Sequence, residues 1–204
     1  MKKTNIKSSV FHLIWNGYLF DKNPSLISAH QTQDSGLDWK SIIKGRKIFK
    51  DWNENFSIYT IGDSPVDYFI AGGYYNVISD ASKKVIQEIT GSEDVEFLPA
   101  KIMTVSSNQD CGSYWVMNVT NNIEALDWEQ TLWKTESIPY NNEKAYSEII
   151  KPALRLETVK NHHIFHLAVK GKTKPAVYFS SQLKSKLESA RCILGMQFSP
   201  IKVI

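Results

Sequence analysis

Two stretches decide the fold: Ser79–Ile102, SDASKKVIQEITGSEDVEFLPAKI, and Ser180–Val203, SSQLKSKLESARCILGMQFSPIKV. Each opens on a serine whose side-chain oxygen can accept from the free N–H groups of a first helical turn. In the first, Val85, Ile86 and Ile89 then share one helical face, and Gly91 supplies the stop. In the second, Leu183, Leu187 and Ala190 share a face. At an offset of 101, Ser79 aligns with Ser180, Lys83 with Lys184 and Ile86 with Leu187. The same offset sets Phe97-Leu98-Pro99-Ala100-Lys101-Ile102 on Phe198-Ser199-Pro200-Ile201-Lys202-Val203, which is F-x-P-x-K-[IV] twice. Each stretch reads as strand, capped helix, then a strand with a proline that cannot donate to a ladder. Chance likeness of two amphipathic helices is the competing explanation. The expected fold is α+β, with two similar strand–helix–strand lobes sharing a core and mostly antiparallel sheets. It forms one domain over 1–204, with lobes near 1–104 and 105–204.

Outward from these stretches, Phe11, Leu13 and Trp15 alternate as in a strand, and 21–36 is turn-rich and reads as loop. Leu37–Ile48 predicts a short helix weakened by Gly45, and Phe56–Ile61 a strand closed by Gly62-Asp63-Ser64-Pro65. Val95–Thr104 and Tyr114–Val119 read as strands around a polar loop, whereas 122–134 is aromatic-rich and ambiguous. Leu154–Val159, His163–Val169 and Ala176–Phe179 read as strands, the last two joined by a Lys170-Gly171-Lys172 turn. Met196–Val203 closes the chain as a strand.

A chain of 204 residues and 23.3 kDa can bury about 70% of its unfolded surface, so no disulfide or metal is needed to hold it. Two cysteines, Cys111 and Cys192, are too few for a disulfide scaffold and point to a cytoplasmic protein with reduced thiols. The apolar runs Val10–Phe20 and Tyr68–Ile78 are interrupted and shorter than the ~20 residues that span a bilayer, so no membrane partner is expected. The basic start lacks a cleavage site and meets Asp21, which argues against a secretory signal. Residues 1–127 carry 12 basic and 15 acidic side chains, and residues 128–204 carry 12 and 6. That later basic excess is dispersed through Lys170, Lys172, Lys174, Lys184, Lys186 and Arg191, without the concentrated footprint of a nucleic-acid binder.

Four chemical motifs fail on their spacing. Cys111-Gly112-Ser113-Tyr114-Trp115 looks like a papain-type nucleophile string, but a strand-like run follows where that chemistry needs a helix N-terminus. Gly62-Asp63-Ser64 looks like a serine-esterase block, yet none of the aspartates has a histidine three positions on to supply the base. His162 and His166 share a strand face but lie ~13 Å apart at about 3.3 Å per residue, too far for one zinc, and His163 sits with Phe165 and Leu167. Gly171-Lys172-Thr173 ends like a phosphate loop but lacks its first glycine and reads as a turn. No catalytic residue, metal or cofactor is therefore assigned.

The order of the chain carries a resemblance. It runs from Val66-Asp67-Tyr68-Phe69-Ile70 through Asn76-Val77-Ile78-Ser79 and the first helix to Val95–Ile102 and Tyr114–Val119. Leu126-Asp127, His163-Ile164-Phe165, Val177-Tyr178-Phe179-Ser180 and Gly195–Pro200 complete it. In this order the chain resembles, over residues 45–204, a family of bacterial immunity proteins from polymorphic toxin systems. Where that family has an acidic residue and a serine after the Leu-Asp pair, this chain has Trp128, Glu129, Gln130 and Thr131. The resemblance implies no catalytic residue and a toxin domain as protein partner, neutralised by stoichiometric binding. Trp128, Glu129 and Trp133 are the candidate contacts, since aromatics with a nearby charge suit an interface; the competing explanation, slightly favoured because large aromatics are usually mostly buried, is that both tryptophans are core. Two other classes remain open: a small hydrolase using Ser64 or Cys111, and a small-ligand or regulatory module.

Overall fold

The computed structural model describes residues 10–32, 39–107, 109–134, 149–168 and 176–204. The first part of the chain gives β1 (Val10–Trp15), α1 (Gly17–Lys22), β2 (Ser28–Thr32), α2 (Trp39–Ile43) and β3 (Ser57–Ile61). Then come β4 (Tyr68–Ala71), β5 (Tyr75–Ser79), α3 (Asp80–Gln87), β6 (Val95–Thr104) and β7 (Asp110–Val119). Short strands follow as β8 (Asn122–Ile123), β9 (Leu132–Trp133), β10 (Ile149–Lys151) and β11 (Ala153–Leu154), then α4 (Leu156–Val159). The chain closes with β12 (Ile164–Leu167), β13 (Val177–Ser180), α5 (Ser181–Ser189), β14 (Met196–Pro200) and β15 (Lys202–Val203).

Two sheets dominate, ordered β2-β3-β6-β7-β5-β4 and β14-β1-β13-β12-β8. Pairing among the described residues is antiparallel except for β3–β6, β8–β12 and β11–β15, so the fold is α+β with mostly antiparallel sheets. No helix among the described residues is long and apolar enough to cross a membrane.

The two lobes match strand by strand. Around the first helix β5 and β6 flank β7; around the second β13 and β14 flank β1. Ser79 pairs with Tyr114 as Ser180 pairs with Val10, and Val95 pairs with Val119 as Met196 pairs with Trp15. Pro99 faces Trp115 as Pro200 faces Phe11. Tyr68 pairs with Ile78 as Ile164 pairs with Phe179, and Ser57 with Lys101 as Ala153 with Lys202. The side chains follow. Lys83 Nζ lies 3.0 Å from the Trp115 ring and 5.9 Å from Phe97, while Lys184 Nζ lies 5.1 Å from Phe11 and 5.6 Å from Phe198. One difference in order stands out: β7 follows β6 directly, whereas its counterpart β1 comes from the start of the chain. The first lobe's sheet is thus completed by the adjoining strand, and the second lobe's by one from a distant part of the chain.

The capping serines also correspond. Ser79 (φ −67°, ψ 159°) accepts from Ser82 N, and Ser180 (φ −68°, ψ 159°) from Leu183 N, each at 3.2 Å. Ser79 Oγ donates to Asp67 Oδ1 at 2.9 Å, and Ser180 Oγ lies 3.0 Å from His163 Nδ1, at the equivalent place before the hairpin. Between the sheets lies one shared core that takes Leu13, Ile164, Phe179, Leu183 and Leu187 from one lobe and Ile78, Ile86, Val95, Phe97 and Met117 from the other. A fully buried aliphatic side chain such as Ile86 or Leu187 contributes about 2 kcal/mol. Ser82 Oγ donates to Cys192 O at 3.2 Å, stitching α3 to the end of α5.

The two helices end differently. After α5, Cys192 N donates to Leu187 O and Arg191 N to Glu188 O, both at 3.0 Å, which is a Schellman closure. Its left-handed position is held by Arg191 at φ 58°, the one non-glycine with positive φ among the described residues. An arginine there costs about 1 kcal/mol relative to glycine.

Several expectations need correction. Leu154–Val159 is not one strand: β11 stops at Leu154 and a helical turn follows, leaving Leu156 39% exposed. Residues 28–32, read as loop, form edge strand β2 because β3 offers its backbone, not because of apolar patterning. Gly72 and Gly73, at φ 55° and 76°, close the β4–β5 hairpin. Ile201 interrupts the last strand, and β1 stops at Trp15, where Asn16 Oδ1 caps α1 through Leu19 N at 3.3 Å. All four residues of β12 are buried, so His166 lies inside and His162 and His163 precede the strand. The Lys170–Lys172 turn and Lys174 lie outside the described residues.

Candidate functional site

Trp128, Glu129 and Trp133 come together on a turn fixed from below. Asp127 N donates to Ala153 O at 2.8 Å, and Asp127 Oδ1 accepts from Glu129 N at 3.1 Å and Gln130 N at 2.8 Å. Thr131 is buried: its Oγ1 donates to Asp127 O at 2.6 Å and accepts from Ala153 N at 3.1 Å. Lys202 Nζ reaches Gln130 Oε1 at 2.8 Å, so β11 and β15 both hold the turn. On it the two indoles stack at 5.0 Å with 5° between planes, and Trp133 Nε1 donates to Trp128 O at 3.2 Å. Trp133 is half-buried against the core around Leu126, Leu154 and Ile201. Trp128 is 40% exposed and Glu129 lies in solvent. The core alternative therefore describes one side of Trp133, while Trp128 forms a ledge beside exposed Leu132 and Ile150. Such a surface offers a rigid aromatic anchor with a carboxylate beside it, which suits binding.

The motifs for other chemistry fall elsewhere. Cys111 opens onto a cleft of about 310 Å³ that also touches Asp67, Ser79, Asp80 and Tyr114. Its thiol donates to Gln109 O at 3.7 Å and begins strand β7 rather than a helix. Partial burial, and then the carboxylates of Asp110 and Asp63, push its pKa up, the opposite of what an activated nucleophile needs. Ser64 is pinned through its backbone: its N–H donates to Ser25 O at 2.9 Å and its carbonyl accepts from Ile27 N at 3.0 Å. At Gly62, with φ 80°, a Cβ would overlap Leu26 O and lie 2.6 Å from Ser25 O, so this block is a turn that requires glycine.

The three histidines are separated by function in the fold. His162 Nδ1 meets Asn121 Nδ2 at 3.1 Å, His163 meets the capping Ser180, and buried His166 Nδ1 lies 2.9 Å from Ala176 O. Burial lowers the His166 pKa, partly opposed by that carbonyl. Among the described residues no three His, Cys, Asp or Glu side chains are grouped to hold a metal. Sequence reasoning missed the turn-fixing roles of Asp127 and Thr131, for which Asp four positions before Thr in a polar segment was the available signal. It also missed Arg191, since nothing but glycine or asparagine signals a left-handed position in a sequence.

A search of curated proteins returns no match. A family model, by contrast, matches residues 17–203, nearly the whole chain and both lobes. The likeness in motif order extends to the first lobe's opening elements, and the chain belongs to the Immunity protein family (Imm11).

Proposed function

We propose that the chain protects a bacterial cell by binding a cognate secreted toxin domain one-to-one, without turnover. The cytoplasm is the place of action and a polymorphic toxin system used in competition between bacteria is the setting. Membership of the immunity family over residues 17–203 is the observation that carries this reading. The raised Cys111 thiol and the backbone-pinned Ser64 support binding over hydrolysis. The Trp128–Trp133 ledge, with Glu129, is the proposed contact: a specific interface takes ~800 Å² per partner, with affinity concentrated in a few anchors. One domain over 1–204, with lobes meeting near residue 104, completes the reading.

Co-expression with a cognate toxin domain tests it. Ser64→Ala and Cys111→Ala should protect as well as the unaltered chain. Trp128→Ala should weaken the complex by about 2 kcal/mol while leaving the far-ultraviolet spectrum unchanged. Loss of protection in either nucleophile variant, with folding and toxin binding intact, would show that protection is catalytic.

A further inference from the structure

A second surface lies at the far end of β14 from the tryptophan ledge. The turn leaving α5 and the start of α1 enclose an open groove of about 380 Å³, whose lining includes Leu19, Ile193, Leu194 and Met196, with Glu188 and Arg191. Leu194 is 41% exposed, and on α1 Tyr18 is 71% exposed with Lys22 Nζ 5.6 Å from its ring. The backbone beneath is rigid. Leu194 O accepts from Asp67 N at 2.8 Å and Tyr68 N at 3.0 Å, and Leu194 N donates to Asp67 Oδ2 at 2.9 Å. Gly195, at φ 95°, has no room for a side chain, since a Cβ there would overlap Tyr68 O, and its carbonyl accepts from Asn16 N at 3.0 Å. Leu194 is thus held out toward solvent by a loop fixed at three points.

The charge of the groove is one-sided. Glu188 is answered by Lys184 Nζ at 2.6 Å, while the exposed Arg191 guanidinium makes no ion pair with a described residue. Arg191 also occupies a backbone position that glycine would fill at lower cost, and the counterpart helix α3 ends without such a residue. This places a planar, five-donor cation at the rim of a groove with apolar walls.

We infer that this groove docks a carboxylate-bearing apolar segment of the toxin domain, the carboxylate seated on Arg191 and the apolar side chain against Leu19 and Leu194. The inference rests on the toxin-binding reading and adds a contact separate from Trp128. Preorganised apolar walls with an unpaired arginine are what an anchor of this kind requires.

The test uses the full chain and its cognate toxin domain, with affinity measured by calorimetry at two salt concentrations. Arg191→Gly relieves the backbone, so its melting midpoint should rise by ~2–4 °C while its affinity falls at least tenfold and its salt dependence shrinks. Arg191→Glu should weaken binding further, and Leu194→Ser should weaken it without changing the salt dependence. If Arg191→Gly and Arg191→Glu bind as tightly as the unaltered chain, the groove is not a contact, and the immunity reading stands on its own. If the unaltered chain does not bind the toxin domain, both fall together.

Discussion

Leu13→Ala removes a buried side chain from β1, the strand nearest the start of the chain yet paired with Phe198 near its end. Leu13 is 4% exposed and belongs to the shared core with Met117, Val119 and Phe97 of the other lobe. A buried Leu→Ala change costs 2–5 kcal/mol, and about 3 kcal/mol suits a site closed in on both sides. In a chain of this length that lowers the melting midpoint by roughly 6–12 °C. Because the core is common to both sheets, the loss should be felt everywhere. Hydrogen exchange should accelerate by about a hundredfold at the Leu98 and Val116 amides of the first large sheet, as much as at the Phe179 amide of the second. Urea unfolding should stay a single transition by both tryptophan fluorescence and circular dichroism. Slow exchange retained at Leu98 and Val116 while Phe179 opens, or two separated transitions, would refute the coupling of the lobes.

Ser79→Ala and Ser180→Ala compare equivalent caps with different second partners. The first loses the cap and a bond to the Asp67 carboxylate and should cost about 2 kcal/mol; the second should cost about 1 kcal/mol. Equal costs by urea unfolding would show that the Asp67 carboxylate adds no more than the His163 ring does. For pH, His166 and His12 both have folded pKa values below 6.5 because burial disfavours the charged ring. The unfolded chain therefore takes up protons first, so their contribution is complete above about pH 7 and is lost as pH falls below 6.5. His166→Ile, which installs the residue found at the equivalent Ile70, should reduce the drop in urea midpoint between pH 7 and 5.5. An unchanged drop would remove His166 from the account.

What the sequence announced and what it hid divide by range. The two helix starts were legible because capping and one-sided burial are local: Ser79 and Ser180 mark them, and Ile86 and Leu187 point inward as expected. The twofold F-x-P-x-K-[IV] foretold the matching registers of β6 and β14. The partner of β1 was not legible, since no local pattern says that Phe11 faces Pro200. Leu154–Val159 misled because Leu156 mimics alternation while standing in solvent. At the site, the aromatic cluster was visible at once, but its stacking depends on Asp127 and Thr131 binding a strand more than twenty residues away, at Ala153.

The unlike chain positions of β1 and β7 have a consequence for synthesis on the ribosome. The first sheet becomes complete as soon as residue 119 has emerged, because β7 follows β6 in the chain. β1 has no such neighbour: its partners β13 and β14 lie more than 160 residues further along the chain. At 5–20 residues per second, β1 waits roughly 10–40 s with Val10, Leu13 and Trp15 unburied and both of its edges unpaired. A nascent chain in that interval is an intermediate with one finished sheet and an adhesive N-terminal strand, the kind of species that holding chaperones recognise.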